Sequence, residues 1–374
     1  MMNRKICLLS LLLLILSTFL AACNKSNNDL AVANINEHAE PPKDENALSV
    51  ALVTDTGGIN DRSFNQFAWE GLQAWGETYS KKEGREGYDF ILPEKETDEA
   101  YVNSFEELVN DGTDLMFGVG FLLEDAVYDI ASQYEDHYFA SIDTVVPLPN
   151  VVSITFAEHE GSFLAGLAAA EKTQTKKVGF IGGVDSDLIQ KFEVGYSAGI
   201  HTIDPKIEVD IQYVEDFNDV ETAQQLAKEM YDNGVDIIYH AAGNAGNGVF
   251  AEATARQAQQ KDNELWVIGV DRDQYEEGFI ENSNESVTLT SMVKRVDLAV
   301  YDVASALMSH AFPGGEILVF GLADEGIALT NTNEQAYTNE IAAVVNDWQE
   351  KVIKGEITVP KSRAELKDFE QGIK

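Results

Sequence analysis

Thiols and cationic side chains are scarce in this 374-residue chain. Its two cysteines, Cys7 and Cys23, are too few for a disulfide framework. Its 26 Lys and Arg face 64 Asp and Glu, for a formal net charge of −38. So acidic a chain would be repelled by a polyanion and would release no counterions on meeting one, which excludes nucleic acid as a partner. No G-x-x-x-x-G-K-[ST] loop occurs, so any energy drawn from nucleotide hydrolysis must come from another subunit. A G-x-S-x-G elbow and an H-E-x-x-H pair are also missing, since His159-Glu160 lacks the second histidine. The six histidines are scattered without zinc spacing, and Asp271-Arg272-Asp273 puts a cation where a calcium loop needs oxygen. Gly179-x-x-Gly182-Gly183 and Gly243-x-x-Gly246-x-Gly248 do not have dinucleotide-loop spacing. No metal or cofactor is therefore expected. What is present is 44% hydrophobic residues and 28 glycines in a chain long enough for two or three domains, the composition of an ordinary α/β protein with a sizeable core.

The amino-terminal segment reads as a targeting signal. Arg4 and Lys5 precede an aliphatic run from Ile6 to Leu16, which is too short to span a bilayer comfortably and suits a signal-peptide core. Leu20-Ala21-Ala22-Cys23 resembles the bacterial lipobox, which implies cleavage after residue 22 and a diacylglycerol on Cys23. Cys7 then leaves with the signal, and the folded body has no thiol chemistry. Residues 23–46, rich in Asn, Ser, Glu and Lys with Pro41-Pro42, read as a flexible lipidated tether.

From Leu48 onward, short Val/Ile/Leu runs alternate with amphipathic stretches. Eleven strands are predicted: Ser49–Val53, Asp89–Leu92, Leu115–Val119, Tyr138–Ile142, Val151–Ile154, Lys177–Ile181, Ile207–Tyr213, Asp236–His240, Leu265–Val270, Ser286–Met292 and Ile317–Phe320. Such runs suit strands buried on both faces of a parallel sheet, and eleven exceed what one doubly wound sheet usually carries. Two sheets are expected, with the break near Val146–Asn150, where a helix is missing. The lobes are taken as 47–155 plus about 292–322, and 156–291 plus about 323–374. A cleft between them would face the carboxyl ends of the strands.

The residues at those ends form a consistent set. Asp55 opens a loop with Gly57-Gly58 that runs to Asp61 and Ser63, either able to cap the following helix, and then to Phe64 and Asn65. Asp143 and Asp271 follow two further strands, Tyr239-His240-Ala241-Ala242-Gly243 closes another, and Lys294-Arg295 adds cations after a fourth. Carboxylates accept from hydroxyl and amino groups and aromatic faces stack, so the set suits a neutral, hydroxyl-rich ligand with a flat ring.

Asp55-Thr56-Gly57-Gly58-Ile59-Asn60-Asp61-Arg62-Ser63-Phe64-Asn65-Gln66, Phe163-Leu164-Ala165-Gly166, Gly179-Phe180-Ile181-Gly182-Gly183, Ala241-Ala242-Gly243, Ile268-Gly269-Val270-Asp271-Arg272-Asp273-Gln274 and Ser291-Met292-Val293-Lys294-Arg295 resemble the basic membrane lipoprotein family. Its best-understood members are purine nucleoside receptors of bacterial ABC importers. The resemblance implies a type I periplasmic-binding-protein fold: two doubly wound parallel-sheet lobes with a ligand cleft between them. It also implies capture of adenosine, guanosine or inosine by lobe closure, an ABC permease as partner, and an extracytoplasmic, lipid-anchored location. By the same resemblance Phe64 stacks on one face of the purine and the aromatic before Ala241, most simply Tyr239, on the other. Tyr239 and His240 are strand neighbours, so only one of the two should face the cleft. Asp55 and Asp143 would bond the base or nearby polar groups, with Asn65 a further polar contact. Asp271 would hold the ribose hydroxyls, Lys294 would donate to the ribose, and the loop at Gly243 would approach the sugar. Asn244-Ala245 departs from the Gly-Thr of many members. The alternatives are a surface adhesion or signalling lipoprotein on the same fold, and a nucleoside hydrolase; the expectation is a receptor and not an enzyme.

Overall fold

The computed structural model describes residues 48–259 and 264–372. The proposed signal, Cys23 and the tether lie outside the described residues. The chain first runs through β1 (Val50–Val53), α1 (Phe64–Thr78), β2 (Tyr88–Ile91), α2 (Asp98–Asp111), β3 (Leu115–Val119), α3 (Glu124–Gln133), β4 (Tyr138–Ile142) and β5 (Val151–Phe156). It continues through α4 (Glu158–Lys172), β6 (Lys177–Gly182), α5 (Asp187–Ile203), β7 (Glu208–Tyr213), α6 (Val220–Asp232), β8 (Ile237–Ala241), α7 (Asn247–Gln259), β9 (Trp266–Asp271) and β10 (Thr288–Lys294). Last come α8 (Val296–Met308), β11 (Ile317–Phe320), β12 (Ile327–Leu329), α9 (Asn339–Ile353) and α10 (Arg363–Gly372). Side-chain oxygens of Thr97, Ser186 and Asp219 cap α2, α5 and α6 by accepting from Ala100, Ile189 and Thr222 N–H groups.

Two six-stranded sheets result. One has the order β11-β5-β4-β3-β1-β2 and is parallel throughout. The other has the order β12-β10-β9-β8-β6-β7 and is parallel except for β12 at its edge. Every residue of β1, β3, β8 and β10 is buried; β1 and β3 accordingly read as apolar runs, whereas β10 buries Thr288, Thr290, Ser291 and Lys294 as well. Each fully buried Val, Ile or Leu contributes about 1.5–3 kcal/mol of transfer free energy. The chain passes between the sheets at residues 156–158, 294–296 and 320–327. All the strand carboxyl ends that carry the predicted site thus face one region.

Two expectations are corrected, and two elements were not foreseen. The stretch Val146–Asn150 is not a break between sheets: β5 pairs in parallel with β4, and the helix-free segment returns the chain along its own sheet. Eight residues reach far enough to do this when extended, and Asn150 Nδ2 ties the segment to the carbonyls of Ala131, Tyr134 and His137. β10 runs on to Lys294, because β12 pairs with its last three residues. β12 itself is too short to give a sequence signal. α10 was not foreseen either; it has no fully buried residue, and only Leu366 and Phe369 pack against the core. No helix among the described residues is long and apolar enough to cross a membrane.

Candidate ligand-binding site

The loop after β1 is organised by Asp61. Its Oδ1 accepts from the N–H groups of Ser63 and Gln66 at 2.9 and 3.0 Å, and its Oδ2 from Asn65 N and Nδ2 at 2.9 and 3.0 Å. Asp61 therefore caps α1. Ser63 is released to donate its hydroxyl across the cleft to Asp271 Oδ2 at 2.6 Å. Asn65 Nδ2 also donates to Asp55 Oδ1 at 2.8 Å, and Gly57 N donates to the same oxygen at 2.8 Å. With two carboxylates holding its amino group, Asn65 presents its carbonyl oxygen without a partner among the described residues. Burial pushes Asp55 up to about 7 and raises Asp61, each held back by the hydrogen bonds it accepts.

Asp143 and Asp271 stand immediately after β4 and at the end of β9, with φ of +70° and +67°. Aspartate tolerates this left-handed conformation better than most residues, and it turns each carboxylate off the strand axis. Burial raises Asp271 to about 6, against the opposing pull of Lys294 and the Ser63 hydroxyl. Lys294 comes from the other sheet and donates to Asp143 Oδ2 at 2.6 Å, while Asp143 Oδ1 has no partner among the described residues. Its ammonium lies 4.6 Å from the centre of the Phe64 ring and 5.2 and 5.8 Å from those of Phe156 and Phe192. Burial opposes the charge, but Asp143, Glu158 and Asp271 together outweigh it and leave Lys294 raised.

These groups surround a cavity of about 630 Å³, mouth included. Asp55, Phe64, Asn65, Asp143, Gly243, Asp271 and Lys294 all line it. Gly243 has a φ of +53°, and Gly120 across from it has +110°. The apolar wall comes from Phe64, Phe121, Phe192 and Phe217, with Leu188 and Ile189. Phe121 and Phe217 meet edge-on across the two sheets, 6.0 Å between ring centres. Between the two sheets' loops, Asn218 Nδ2 donates to Thr56 Oγ1, Asn247 Nδ2 to Asp61 O and Gln274 Nε2 to Arg62 O. The lobes thus meet through several polar contacts.

Tyr239 does not line the cavity, and the expectation that it stacks on a ligand is corrected. It is fully buried among Phe180 and Tyr196, and its hydroxyl pairs with Ser162 Oγ at 3.1 Å. Its neighbour His240 is no substitute. Its Nε2 lies 3.0 Å from Gln274 Oε1, its ring packs on Gly246 and Phe250, and burial lowers it to about 4. Gln274 Oε1 also accepts from Val270 N while its amino group serves Arg62, so the neutral imidazole carries its proton on Nε2. β8 is a central strand covered on both faces, so alternating side chains both enter cores, and the strand meets the cavity only at Ala241. Phe121 follows β3 in the strand-end stretch Gly118-Val119-Gly120-Phe121, as the strand-end rule expects; the aromatic residues not foreseen, Phe192 and Phe217, lie in the second turn of α5 and after β7. Applying the strand-end rule to β7 would have found Phe217 and Asn218.

A family profile described as ABC transporter substrate-binding protein PnrA-like (Bmp) matches residues 48–363. The chain belongs to this family. It is 39% identical over 365 residues to the CD4+ T-cell-stimulating antigen of Listeria monocytogenes, covering 96% of this chain and 99% of that one. It is 40% identical to the ABC transporter nucleoside-binding protein BmpA of Lactococcus lactis, over 84% of this chain and 89% of that one. Basic membrane protein A of Borreliella afzelii is 31% identical, over 86% and 94% of the two chains. An ABC transporter solute-binding protein from Aeropyrum pernix has the same fold, with a TM-score of 0.75 at 23% identity over 87% of this chain and 99% of that one. The two-lobed type I binding-protein fold is thus established. The family is one of extracytoplasmic substrate-binding components of ABC transporters, not of enzymes.

Proposed function

We propose that this protein is a lipid-anchored receptor that captures a purine nucleoside (adenosine, guanosine or inosine) and delivers it to an ABC permease. The observation that carries this reading is the pairing, in one cavity, of four phenylalanines with buried carboxylate and amide groups that accept hydrogen bonds. Lys294 is the sole basic side chain lining it among the described residues, and it is already paired with Asp143. The unpartnered Asn65 Oδ1 and Asp143 Oδ1 and the buried Asp271 are acceptors, so the fitting ligand is flat, uncharged and rich in N–H and O–H donors. A purine on ribose meets each condition, and the name of the Lactococcus lactis relative points the same way. In this reading Phe64 stacks on the base, Asp55, Asn65 and Asp143 bond polar groups of the ligand, and Asp271 and Lys294 hold the ribose beside the Gly243 loop. The lobes 47–155 with about 292–322, and 156–291 with about 323–374, close on it as bodies.

Calorimetric titration with adenosine, guanosine, inosine, cytidine and ribose tests the assignment. A purine nucleoside should bind far more tightly than cytidine or ribose, and absence of heat with all three purines would overturn it. The anchor has its own test. Cys23→Ala should abolish acylation by labelled palmitate and move the protein out of the membrane fraction; continued membrane retention would remove Cys23 from the account.

A further inference from the structure

Glu158 stands outside the cavity yet against Lys294. It is the first residue of α4, immediately after the chain leaves β5 for the second sheet, and it is fully buried. Its Oε2 lies 3.2 Å from Lys191 Nζ and its Oε1 4.0 Å from Lys294 Nζ, with no hydrogen-bond partner for Oε1 among the described residues. Burial raises Glu158, and Lys294 and Lys191 pull against that rise, so its charged form depends on these two cations. Lys294 has three N–H donors and directs one to Asp143. The rings of Phe64, Phe156 and Phe192 attract its charge but do not fix a donor direction. Of the three carboxylates that act on the ammonium, Asp143 and Glu158 lie within 4.0 Å of it, and Asp143 alone of these two lines the cavity. Lys294 ends β10 at the second passage between sheets, so the Glu158–Lys294 pair also ties two of the three crossings together.

We propose that Glu158 is a positioning residue: it holds the Lys294 ammonium charged and aimed into the cavity, and affects ligand affinity only through Lys294. When a ligand hydroxyl engages Asp143, Glu158 retains the ammonium in place. The inference rests on the reading that Lys294 donates to the ligand.

A double-mutant cycle tests it, with dissociation constants measured by calorimetry for the purine nucleoside that the unaltered protein binds. Glu158→Gln should weaken binding by roughly tenfold or more in the native background and by less than about twofold in the Lys294→Met background. An equal loss in both backgrounds, or no loss in the native one, overturns the proposal. Glu158→Asp, which keeps the charge, should retain more affinity than Glu158→Gln; equal losses would show that the charge is not what matters. If Glu158→Gln gives no cooperative melt, Glu158→Asp in the two backgrounds carries the same comparison. A ligand-free readout separates this inference from the nucleoside reading. The NMR resonance of the Lys294 side chain, assigned by its absence in Lys294→Met, should move in Glu158→Gln and not in the exposed control Glu350→Gln. Should no nucleoside bind at all, the functional reading falls, and an unmoved resonance sinks the positioning role independently.

Discussion

Asp271 concentrates the chemistry of single residues here. It is buried, it accepts a 2.6 Å bond from Ser63 across the cleft, and burial raises it to about 6. Charge-assisted hydrogen bonds from buried ligand hydroxyls are worth about 1.5–3 kcal/mol. Asp271→Ala should therefore weaken nucleoside binding by about that amount in calorimetry, and an unchanged dissociation constant would take Asp271 out of the site. The sign of the pH effect follows from the same residue. A ligand that donates to Asp271 favours its ionised form, so binding releases a proton and affinity should rise as pH increases through about 6. Titrations in buffers of different ionisation enthalpy measure that release directly. For the unliganded protein the linkage concerns folding. Asp55 and Asp271, raised to about 7 and about 6, keep protons that the unfolded chain has already lost above pH 4. Their contribution is complete below the unfolded value and is lost as pH rises through the folded values, so the melting temperature should fall between pH 4 and 7 on their account.

At the scale of elements, the helices explain motifs that carry no ligand chemistry. Phe163-Leu164-Ala165-Gly166 lies on α4, which crosses α5 with its backbone almost in contact. A Cβ on Gly166 would lie 2.1 Å from the Tyr196 carbonyl oxygen, and one on Gly199 would lie 2.1 Å from that of Phe163. Neither neighbour is a flexible side-chain end, so the helices would have to part. Gly166→Val should cost about 1–3 kcal/mol or more, as overpacking does, visible as a lower urea midpoint at unchanged slope. α5 also presents Leu188, Ile189 and Phe192 to the cavity, so this crossing sets the position of one cavity wall. Central strands such as β1 and β3 were legible because burial on both faces leaves an uninterrupted apolar run. Which residues of a central strand touch a ligand was not. Alternation says that Tyr239 and His240 point opposite ways, but only the helices packed on both faces of β8 send each of them into a core.

At the scale of the whole molecule, charge and the two-lobed shape act together. Removal of the proposed signal with Arg4 and Lys5 would take the net charge from −38 to −40. An anionic membrane would repel such a body, so the lipid on Cys23 must supply the attachment in the proposed function. The same excess, with Lys294 already paired, disfavours ligands that carry phosphate. Adenosine 5′-monophosphate should bind at least about 100-fold more weakly than adenosine in parallel titrations, since a desolvated unpaired charge costs several kcal/mol. Comparable affinities would mean that another cation reaches the site.

The amino-acid sequence by itself determined the alternation of strand and helix, the acids at the strand ends, the absence of thiol and P-loop chemistry from the body, and the family. These are local or compositional properties, readable from periodicity and from short motifs. Only the tertiary structure decided that Asp61, not Ser63, caps α1, that Ser63 instead reaches Asp271, and that Phe192 and Phe217 wall the cavity in place of Tyr239. It alone set the buried Glu158 beside Lys294, more than a hundred residues away along the chain. Such contacts arise from how two sheets and their helices pack, and no periodicity in the chain encodes which side chains from distant strands come to share one cavity.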